Sequence, residues 1–161
     1  MNLLLVVPNW KWCAEEKNVN YPYPPYNLCL LAAIIKKKKL CDSVEIIDCD
    51  VDNLSEEELK NKIADKSPDI VGTTVLMDQL CASGHAVTRV AKEVNKEIIT
   101  VMGGVYTTVN PKKAIEDVNL DYACVGEGEN VLPEMIEYFN GSKPNLPTKG
   151  IIYKEKKSGK I

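Results

Sequence analysis

The 161-residue chain carries 23 acidic and 20 basic side chains, and the resulting net charge of -3 excludes the basic surface of an electrostatic nucleic-acid binder. Its hydrophobic fraction of 45% and charged fraction of 27% are ordinary for a globular domain. No apolar run in the sequence reaches the roughly 18 to 20 residues that a membrane span requires. We therefore expect neither a nucleic-acid partner nor a membrane partner.

The amino terminus and the cysteines indicate a cytoplasmic protein. Residues 1–8 are apolar but lack a basic leader, and the run is too short for a signal peptide, so we interpret it as a first strand. The six cysteines are scattered and form no CxxC pair of the kind found in zinc and redox sites. Scattered thiols of this kind are typical of the reducing cytoplasm.

Segments with strand and helix patterns alternate along the chain. Short apolar runs predict strands, and helical periodicity or helix-start signals predict the helices between them. Ser55 and Glu58 have the spacing of a capping box, and Pro111 suits a first helical position. The predicted strands are residues 3–7, 44–48, 70–75, 98–102 and 122–125, and the helices are residues 26–39, from 55, 79–94, from 111, and 130–139. This order predicts an α/β three-layer sandwich with a five-stranded parallel sheet.

The carboxyl-terminal residues depart from this alternation. Residues 142–147 are polar and proline-containing, as is typical of a linker. Residues 150–153 predict a strand, and the polar turn that follows predicts a short hairpin whose second strand is cut off at residue 161. We therefore divide the chain into an α/β domain, residues 1–141, and a linker with a truncated hairpin, residues 142–161. We expect it to be the amino-terminal piece of a longer protein.

Glycines follow the fourth and fifth predicted strands, at Gly103 and Gly104 and again at Gly126 and Gly128. Glycine lets the backbone approach a ligand closely, and open α/β sheets bind ligands at the carboxyl ends of their strands. The pattern favours a bulky, phosphate-bearing cofactor. A purely structural interpretation also fits, in which Gly103 and Gly104 form a tight turn and residues 126–129 only begin a helix.

Four common ligand motifs of such sheets are missing from the sequence. Residues 8–13 lack the hydroxyl-rich phosphate loop of a flavodoxin, and no cluster of acidic residues follows the first and third strands, as a phosphoryl-receiver domain requires. The GxGxxG dinucleotide fingerprint is absent after the first strand, and a P-loop GK[ST] is absent as well. A different phosphate-bearing cofactor is therefore expected.

An ordered set of motifs resembles one known family. The set is Pro-Pro-Tyr-Asn-Leu at 24–28, Ser-Pro-Asp-Ile-Val-Gly at 67–72, Gly-Gly-Val-Tyr-Thr-Thr at 103–108, Asp-Tyr-Ala-Cys-Val at 121–125 and Gly-Glu-Gly-Glu at 126–129. Together the motifs resemble the amino-terminal cobalamin-binding domain of cobalamin-dependent radical SAM enzymes, over essentially the whole chain. The resemblance implies a flavodoxin-like, Rossmann-type fold that binds cobalamin across the carboxyl edge of the sheet, with the nucleotide tail inserted beside the strands.

The resemblance also implies which residues contact the cofactor. Residues after the first strand would line the upper rim, and residues after the third would support the corrin. The double-glycine loop would make room for the tail, and residues after the fifth strand would close the far side. The set is Pro8, Asn9, Trp10, Thr73, Thr74, Val75, Gly103, Gly104, Val105, Tyr106, Thr107, Gly126 and Glu127. Thr73 and Thr74 fit equally well as ordinary β-branched strand residues.

No residue of the chain receives a catalytic or metal-ligating role. The one histidine, His85, falls within the third predicted helix, and no DxHxxG loop follows the first strand. We therefore expect cobalamin without a histidine ligand to cobalt. The CxxxCxxC motif of radical SAM enzymes is absent too. The [4Fe-4S] cluster and S-adenosylmethionine are thus expected only in a carboxyl-terminal radical SAM domain outside this sequence.

The resemblance implies a domain that holds methylcobalamin for a radical SAM methyltransferase and catalyses nothing alone. The alternative is a flavodoxin-like domain that binds a nucleotide, or a cofactor-free scaffold for assembly, because the fold does not determine the function. If the cobalamin hypothesis holds, Gly104→Leu is expected to abolish cobalamin retention and to leave the fold largely intact.

Overall fold

The computed structural model describes residues 1–13 and 24–154. The strands are β1 (Asn2–Val7), β2 (Ser43–Asp48), β3 (Ile70–Thr74), β4 (Ile99–Gly103), β5 (Tyr122–Cys124) and β6 (Ile151–Tyr153). The helices are α1 (Tyr26–Lys38), α2 (Glu56–Lys66), α3 (Cys81–Val94), α4 (Val105–Val109), α5 (Pro111–Ile115) and α6 (Gly128–Phe139). None of these helices is both long enough and apolar enough to span a bilayer.

The strands form one sheet in the order β2-β1-β3-β4-β5-β6. β1 to β5 are parallel, in the order of flavodoxin-like folds, which confirms the predicted fold class. The sheet has a sixth strand that was not predicted as part of it. β6 pairs antiparallel with β5, with Tyr153 opposite Tyr122. The second strand of the predicted hairpin falls in residues 155–161, outside the described residues.

The two faces of the sheet are covered by different helices. β1 shows why a strand between two helix layers needs a continuous apolar run. Leu3, Leu5 and Val7 pack with residues of α1 and α6. Leu4 and Val6 point to the other face, where they pack with residues of α2 and α3. Successive side chains of a strand alternate between faces, so a strand buried on both sides is apolar at most of its positions.

The local signals at helix starts agree with the structure at α2. The Ser55 hydroxyl accepts a hydrogen bond from the Glu58 amide at 3.2 Å, and the Ser55 amide donates to Glu58 Oε2 at 2.8 Å. These two bonds form the predicted capping box. α5 begins at Pro111, as predicted.

Helix α4 was not predicted, because its sequence Val-Tyr-Thr-Thr-Val is rich in β-branched residues, which have low helix propensity. Tertiary contacts stabilise it instead. Tyr106 is buried, and its amide donates to the Val75 carbonyl at 3.2 Å. The hydroxyls of Thr107 and Thr108 both donate to the Gly104 carbonyl. The residues predicted as a glycine loop therefore form a turn followed directly by a short helix.

Candidate functional site

A largely apolar pocket lies at the carboxyl end of the sheet, beside the reversal of strand order between β1 and β3. Ligands of open α/β sheets bind at such switch points. The pocket has a volume of about 130 Å³, and an apolar cavity of roughly 150 Å³ binds benzene. It therefore has the size of an aromatic ring. Its lining consists of Leu5, Asn27, Leu28, Leu31, Gly72, Thr73, Thr74, Val101, Gly103, Gly104, Cys124, Gly126, Glu127, Gly128, Glu129 and Leu132.

The turn between β4 and α4 requires glycine at one of its two positions. Gly104 has φ of +101° and ψ of -172°, a region that is essentially restricted to glycine. A Cβ atom at this position would lie 2.4 Å from the Val75 carbonyl oxygen. At Gly103 a Cβ would meet only the Cβ of Cys124, at 3.8 Å. Gly104 is therefore needed to form the turn, whereas Gly103 leaves space beside the pocket.

Thr108 connects the two glycine-bearing segments of the site. Its hydroxyl donates to the Gly104 carbonyl at 2.9 Å and accepts a hydrogen bond from the Gly126 amide at 3.0 Å. Gly126 has φ of +80°, and a Cβ there would contact nothing within 4 Å. The loops after β4 and β5 are thus held together by one side chain, which the sequence analysis did not include in the site.

Two long helices begin beside the pocket. The residues before their first turns, Pro25 for α1 and Glu127 for α6, make no side-chain capping hydrogen bond. Asn27, in the first turn of α1, donates through Nδ2 to Thr74 Oγ1 at 2.9 Å. The amide ends of helices attract anions. This end of the pocket therefore suits a phosphate-bearing ligand.

One acidic side chain of the lining lacks a hydrogen-bond partner. Glu129 Oε2 is buried, and it is the one buried side-chain oxygen or nitrogen in the described part of the chain without such a partner. Cys124 also lines the pocket, and burial raises the pKa of its thiol to about 12. Cys124 is therefore a neutral, apolar wall of the pocket at physiological pH.

The structure brings some of the expected site residues to the pocket and places the others elsewhere. Those that line it are Thr73, Thr74, Gly103, Gly104, Gly126 and Glu127. Those that do not are Pro8, Asn9, Trp10, Val75, Val105, Tyr106 and Thr107. Most of the second group are buried in the protein, and only Val105 is exposed. Their positions give no support to direct contact with a ligand in this pocket.

The residues after β1 have structural hydrogen bonds and packing contacts. Asn9 Oδ1 accepts from the Lys11 amide, and Asn9 Nδ2 donates to the Leu54 carbonyl, both at 3.0 Å. Trp10 is 3% exposed and packs in the core on the α1 and α6 side of the sheet. These contacts hold the loop after β1 in place. They use both side-chain polar atoms of Asn9, a residue that was predicted to line the upper rim of the site.

Tyr106, the second residue of α4, belongs to a hydrogen-bonded group with His85 and Asp117. His85 Nδ1 lies 2.7 Å from Asp117 Oδ2, and His85 Nε2 lies 3.3 Å from the Tyr106 hydroxyl. Burial raises the pKa of Tyr106 to about 12. Burial also raises the pKa of Asp117, but hydrogen bonds, that with His85 first, bring it below its ordinary value. Within residues 1–13 and 24–154, no three His, Cys, Asp or Glu side chains are grouped to bind a metal ion.

The sequence analysis missed the helical side of the pocket, which Asn27, Leu28, Leu31, Glu129 and Leu132 provide. One signal was available. The helices of a parallel α/β fold begin at the carboxyl edge of the sheet, so first-turn residues such as Asn27 and Glu129 were candidates. The leucines had no such signal, because helical periodicity identifies a buried face but not the pocket that it borders.

Comparison with known proteins gives a family match. A family model described as "B12 binding domain" matches residues 17–136. An uncharacterized methyltransferase, PH0819, of Pyrococcus horikoshii is 28% identical over 162 aligned residues, which cover 100% of this chain and 34% of that protein. The anaerobic magnesium-protoporphyrin IX monomethyl ester cyclase of Rubrivivax gelatinosus is 31% identical over 137 residues, which cover 84% of this chain and 24% of the cyclase.

A solved structure supports the fold. The radical S-adenosylmethionine methyltransferase TsrM from Kitasatospora setae, with cobalamin and a [4Fe-4S] cluster bound, superimposes with a TM-score of 0.76 at 22% identity. The match covers 96% of this chain and 29% of TsrM. The chain therefore spans about a third or less of the length of these three proteins.

Proposed function

We propose that this chain, which belongs to the B12-binding domain family, holds cobalamin at the carboxyl edge of its sheet as one domain of a longer radical SAM methyltransferase. The observation that carries this proposal is the apolar pocket of about 130 Å³ at the strand switch point, bordered by the two glycine-bearing loops. The match to the family over residues 17–136 supports the same ligand. A nucleotide-binding or cofactor-free scaffold domain is not favoured by either observation.

The residues of the pocket fit the nucleotide tail of cobalamin. The tail ends in an aromatic base, and the pocket has the volume of an aromatic ring between Leu5, Leu28 and Leu132. Apolar walls with a few polar groups are typical of cofactor sites. Gly103 leaves the space open because it has no side chain.

The polar groups near the pocket have distinct tasks in this proposal. The amide ends of α1 and α6 favour the phosphate of the tail, and the Asn27–Thr74 hydrogen bond fixes the wall between them. Thr108 connects the two glycine-bearing loops through its hydrogen bonds with Gly104 and Gly126. Cobalamin, when bound, supplies a methyl group for transfer.

The activity of the whole protein is proposed from its relatives. PH0819 is called a methyltransferase, TsrM is a radical S-adenosylmethionine methyltransferase, and each is about three times as long as the matched region. We therefore assign the [4Fe-4S] cluster, S-adenosylmethionine and the substrate to a radical SAM domain that partners this one. The scattered cysteines favour a cytoplasmic location, and the net charge of -3 favours no nucleic-acid partner.

A visible spectrum tests the binding proposal directly. The purified chain is incubated with hydroxocobalamin, free ligand is removed, and the corrin absorption is compared with the protein concentration. We expect about one equivalent of cobalamin per chain, since residues 1–13 and 24–154 form one pocket at the strand switch point. A parallel incubation with flavin mononucleotide tests the alternative. Retained flavin with no retained corrin would contradict the proposal and support a nucleotide-binding domain.

A further inference from the structure

Thr74 carries a hydroxyl group on the pocket side of the sheet. Side chains of a strand alternate between its faces, and Gly72, two residues earlier, faces Leu5, since a Cβ there would lie 2.8 Å from Leu5 Cδ2. Leu5 and Thr74 both line the pocket. A Cβ at Gly104, which lines it as well, would lie 3.0 Å from Thr74 Oγ1. The Thr74 hydroxyl therefore lies at the pocket wall.

The hydroxyl groups of Thr73 and Thr74 use their protons differently. Thr73 Oγ1 donates to the Val6 carbonyl of the neighbouring strand at 3.0 Å. Thr74 Oγ1 instead accepts a hydrogen bond from Asn27 Nδ2 at 2.9 Å, and its own proton has no acceptor among residues 1–13 and 24–154. A hydroxyl group has one proton to donate and two lone pairs. Because Asn27 occupies a lone pair, the proton of Thr74 points away from Asn27 and is available to a ligand.

Asn27 contributes little to its own helix. It is the second residue of α1, and no side chain caps the start of that helix. Asparagine also has a low helix propensity. The residue is exposed, so water can solvate its amide group without the contact to Thr74. The hydrogen bond from this exposed amide to a threonine that is only 5% exposed therefore points to a role in the pocket.

We propose that Asn27 is a positioning residue, which donates to the Thr74 oxygen and thereby holds the Thr74 hydroxyl as a hydrogen-bond donor toward the cofactor tail. This inference rests on the proposed function, because it places the tail in the pocket. The tail offers acceptors in its phosphate, its ribose and the ring nitrogen of its base. The hydroxyl is oriented before the ligand arrives, so binding does not have to fix its rotation.

Replacing Asn27 with aspartate reverses the direction of its hydrogen bond. An ionised carboxylate only accepts hydrogen bonds, so the aspartate takes the proton of Thr74 and turns the hydroxyl away from the tail. We expect Asn27→Asp to weaken cobalamin binding about tenfold, the worth of one hydrogen bond, and Thr74→Val to weaken it by a similar factor. Asn27→Ala leaves the hydroxyl free to rotate and should weaken binding about threefold.

A double-mutant cycle tests whether Asn27 acts through Thr74. Dissociation constants of the 161-residue chain are measured by visible titration with hydroxocobalamin and with cobinamide, which has no tail. In the Thr74→Val background, Asn27→Ala should cause no further loss of cobalamin affinity. The loss caused by Asn27→Asp should also be smaller there, because only the effect of its charge remains. All these variants should bind cobinamide as the parent chain does.

Asn61 supplies the matched control. It is an exposed residue of α2, which packs on the opposite face of the sheet from α1. Asn61→Asp adds the same charge and Asn61→Ala makes the same truncation, so both should bind cobalamin as the parent chain does.

The unfavourable outcomes distinguish this inference from the proposed function. Equal losses from Asn27→Ala with and without Thr74→Val would overturn the inference and leave cobalamin binding in place. Parent-like binding by Asn27→Asp would have the same meaning, because a reversed hydrogen bond would then be harmless. A matching loss of cobinamide affinity would overturn it too, by showing that Asn27 does not act on the tail. Failure of the parent chain to bind cobalamin would overturn the proposed function together with the inference.

Discussion

Replacing Gly103 with leucine tests whether the pocket holds the cofactor tail. Gly103 ends β4 and lies two residues after Val101, so both residues face the same side of the sheet, and both line the pocket. A Cβ at Gly103 would make one ordinary contact, with the Cβ of Cys124 at 3.8 Å. The isobutyl group of Gly103→Leu can therefore enter the pocket without displacing the backbone.

The size of the effect follows from the volume of the pocket. Its volume of about 130 Å³ is close to that of a cavity filled by one aromatic ring, so a leucine side chain occupies most of the space. Full burial of an aromatic side chain stabilises by about 1.5 to 3 kcal/mol. Losing this burial for the tail should weaken cobalamin binding by about 10- to 100-fold. The fold should survive, because glycine is itself unfavourable inside a strand.

Visible titration with hydroxocobalamin measures the affinity, and thermal unfolding followed by circular dichroism measures the fold. Gly103→Ala is the matched control, since a methyl group leaves most of the pocket open and should change the affinity little. Cobinamide, which has no tail, should bind Gly103→Leu as well as it binds the parent chain. Parent-like affinity of a folded Gly103→Leu for cobalamin would refute the tail pocket. An equal loss of cobinamide would refute it as well.

Two further predictions concern the support of the site. Asp117 has a pKa below its ordinary value when folded, so its stabilisation is present above about pH 4 and is lost as the pH falls through the folded pKa. Asp117→Asn should therefore lower the free energy of unfolding by about 1 to 2 kcal/mol at pH 7, and the difference from the parent chain in urea titrations should shrink below about pH 4. A constant difference would exclude an ionised Asp117 as the cause. Thr108→Val removes the acceptor for the Gly126 amide, and should cost about 1 kcal/mol in urea unfolding and weaken cobalamin retention. Unchanged retention would show that the loops do not depend on this bridge.

The fold was predictable because its signals are local. Continuous apolar runs such as residues 3–7 indicate strands buried on both faces, and the Ser55–Glu58 capping box marks a helix start from four residues alone. The alternation of such segments then limits the topology, because parallel strands require right-handed crossovers. The pairing of β6 with β5 had no local signal, since residues 151–153 fit either a separate hairpin or a new edge of the sheet.

The part of the candidate site that follows the strands was predictable from the sequence, and the part that α1 and α6 provide was not. Gly103, Thr74 and Gly126 follow strands, and parallel strands bring their carboxyl ends together. Leu28 and Leu132 reach the pocket only because α1 and α6 pack side by side on one face of the sheet. That packing depends on contacts between distant residues. Tyr106 does not line this pocket, and its hydroxyl lies 3.3 Å from His85 Nε2.

The structure separates the two glycines that the sequence analysis treated as one motif. Gly104→Leu was expected to spare the fold, but a Cβ at Gly104 would lie 2.4 Å from the backbone oxygen of Val75, and that oxygen also accepts from the Tyr106 amide. A non-glycine residue at φ of +101° is strained in addition, at a cost of about 1 to 3 kcal/mol. Loss of cobalamin from Gly104→Leu would therefore not identify a contact with the cofactor.

The requirement for glycine at position 104 is independent of the cofactor, and this independence is testable. Gly104→Ala should lower the free energy of unfolding of the cobalamin-free chain by about 2 kcal/mol or more, because strain and the clash with Val75 act in the folded state alone. Gly103→Ala, measured beside it, should leave that free energy nearly unchanged. Urea unfolding without ligand compares the two variants. Equal stabilities would show that the turn tolerates a side chain, and the motif would then have to be explained by the cofactor at both positions.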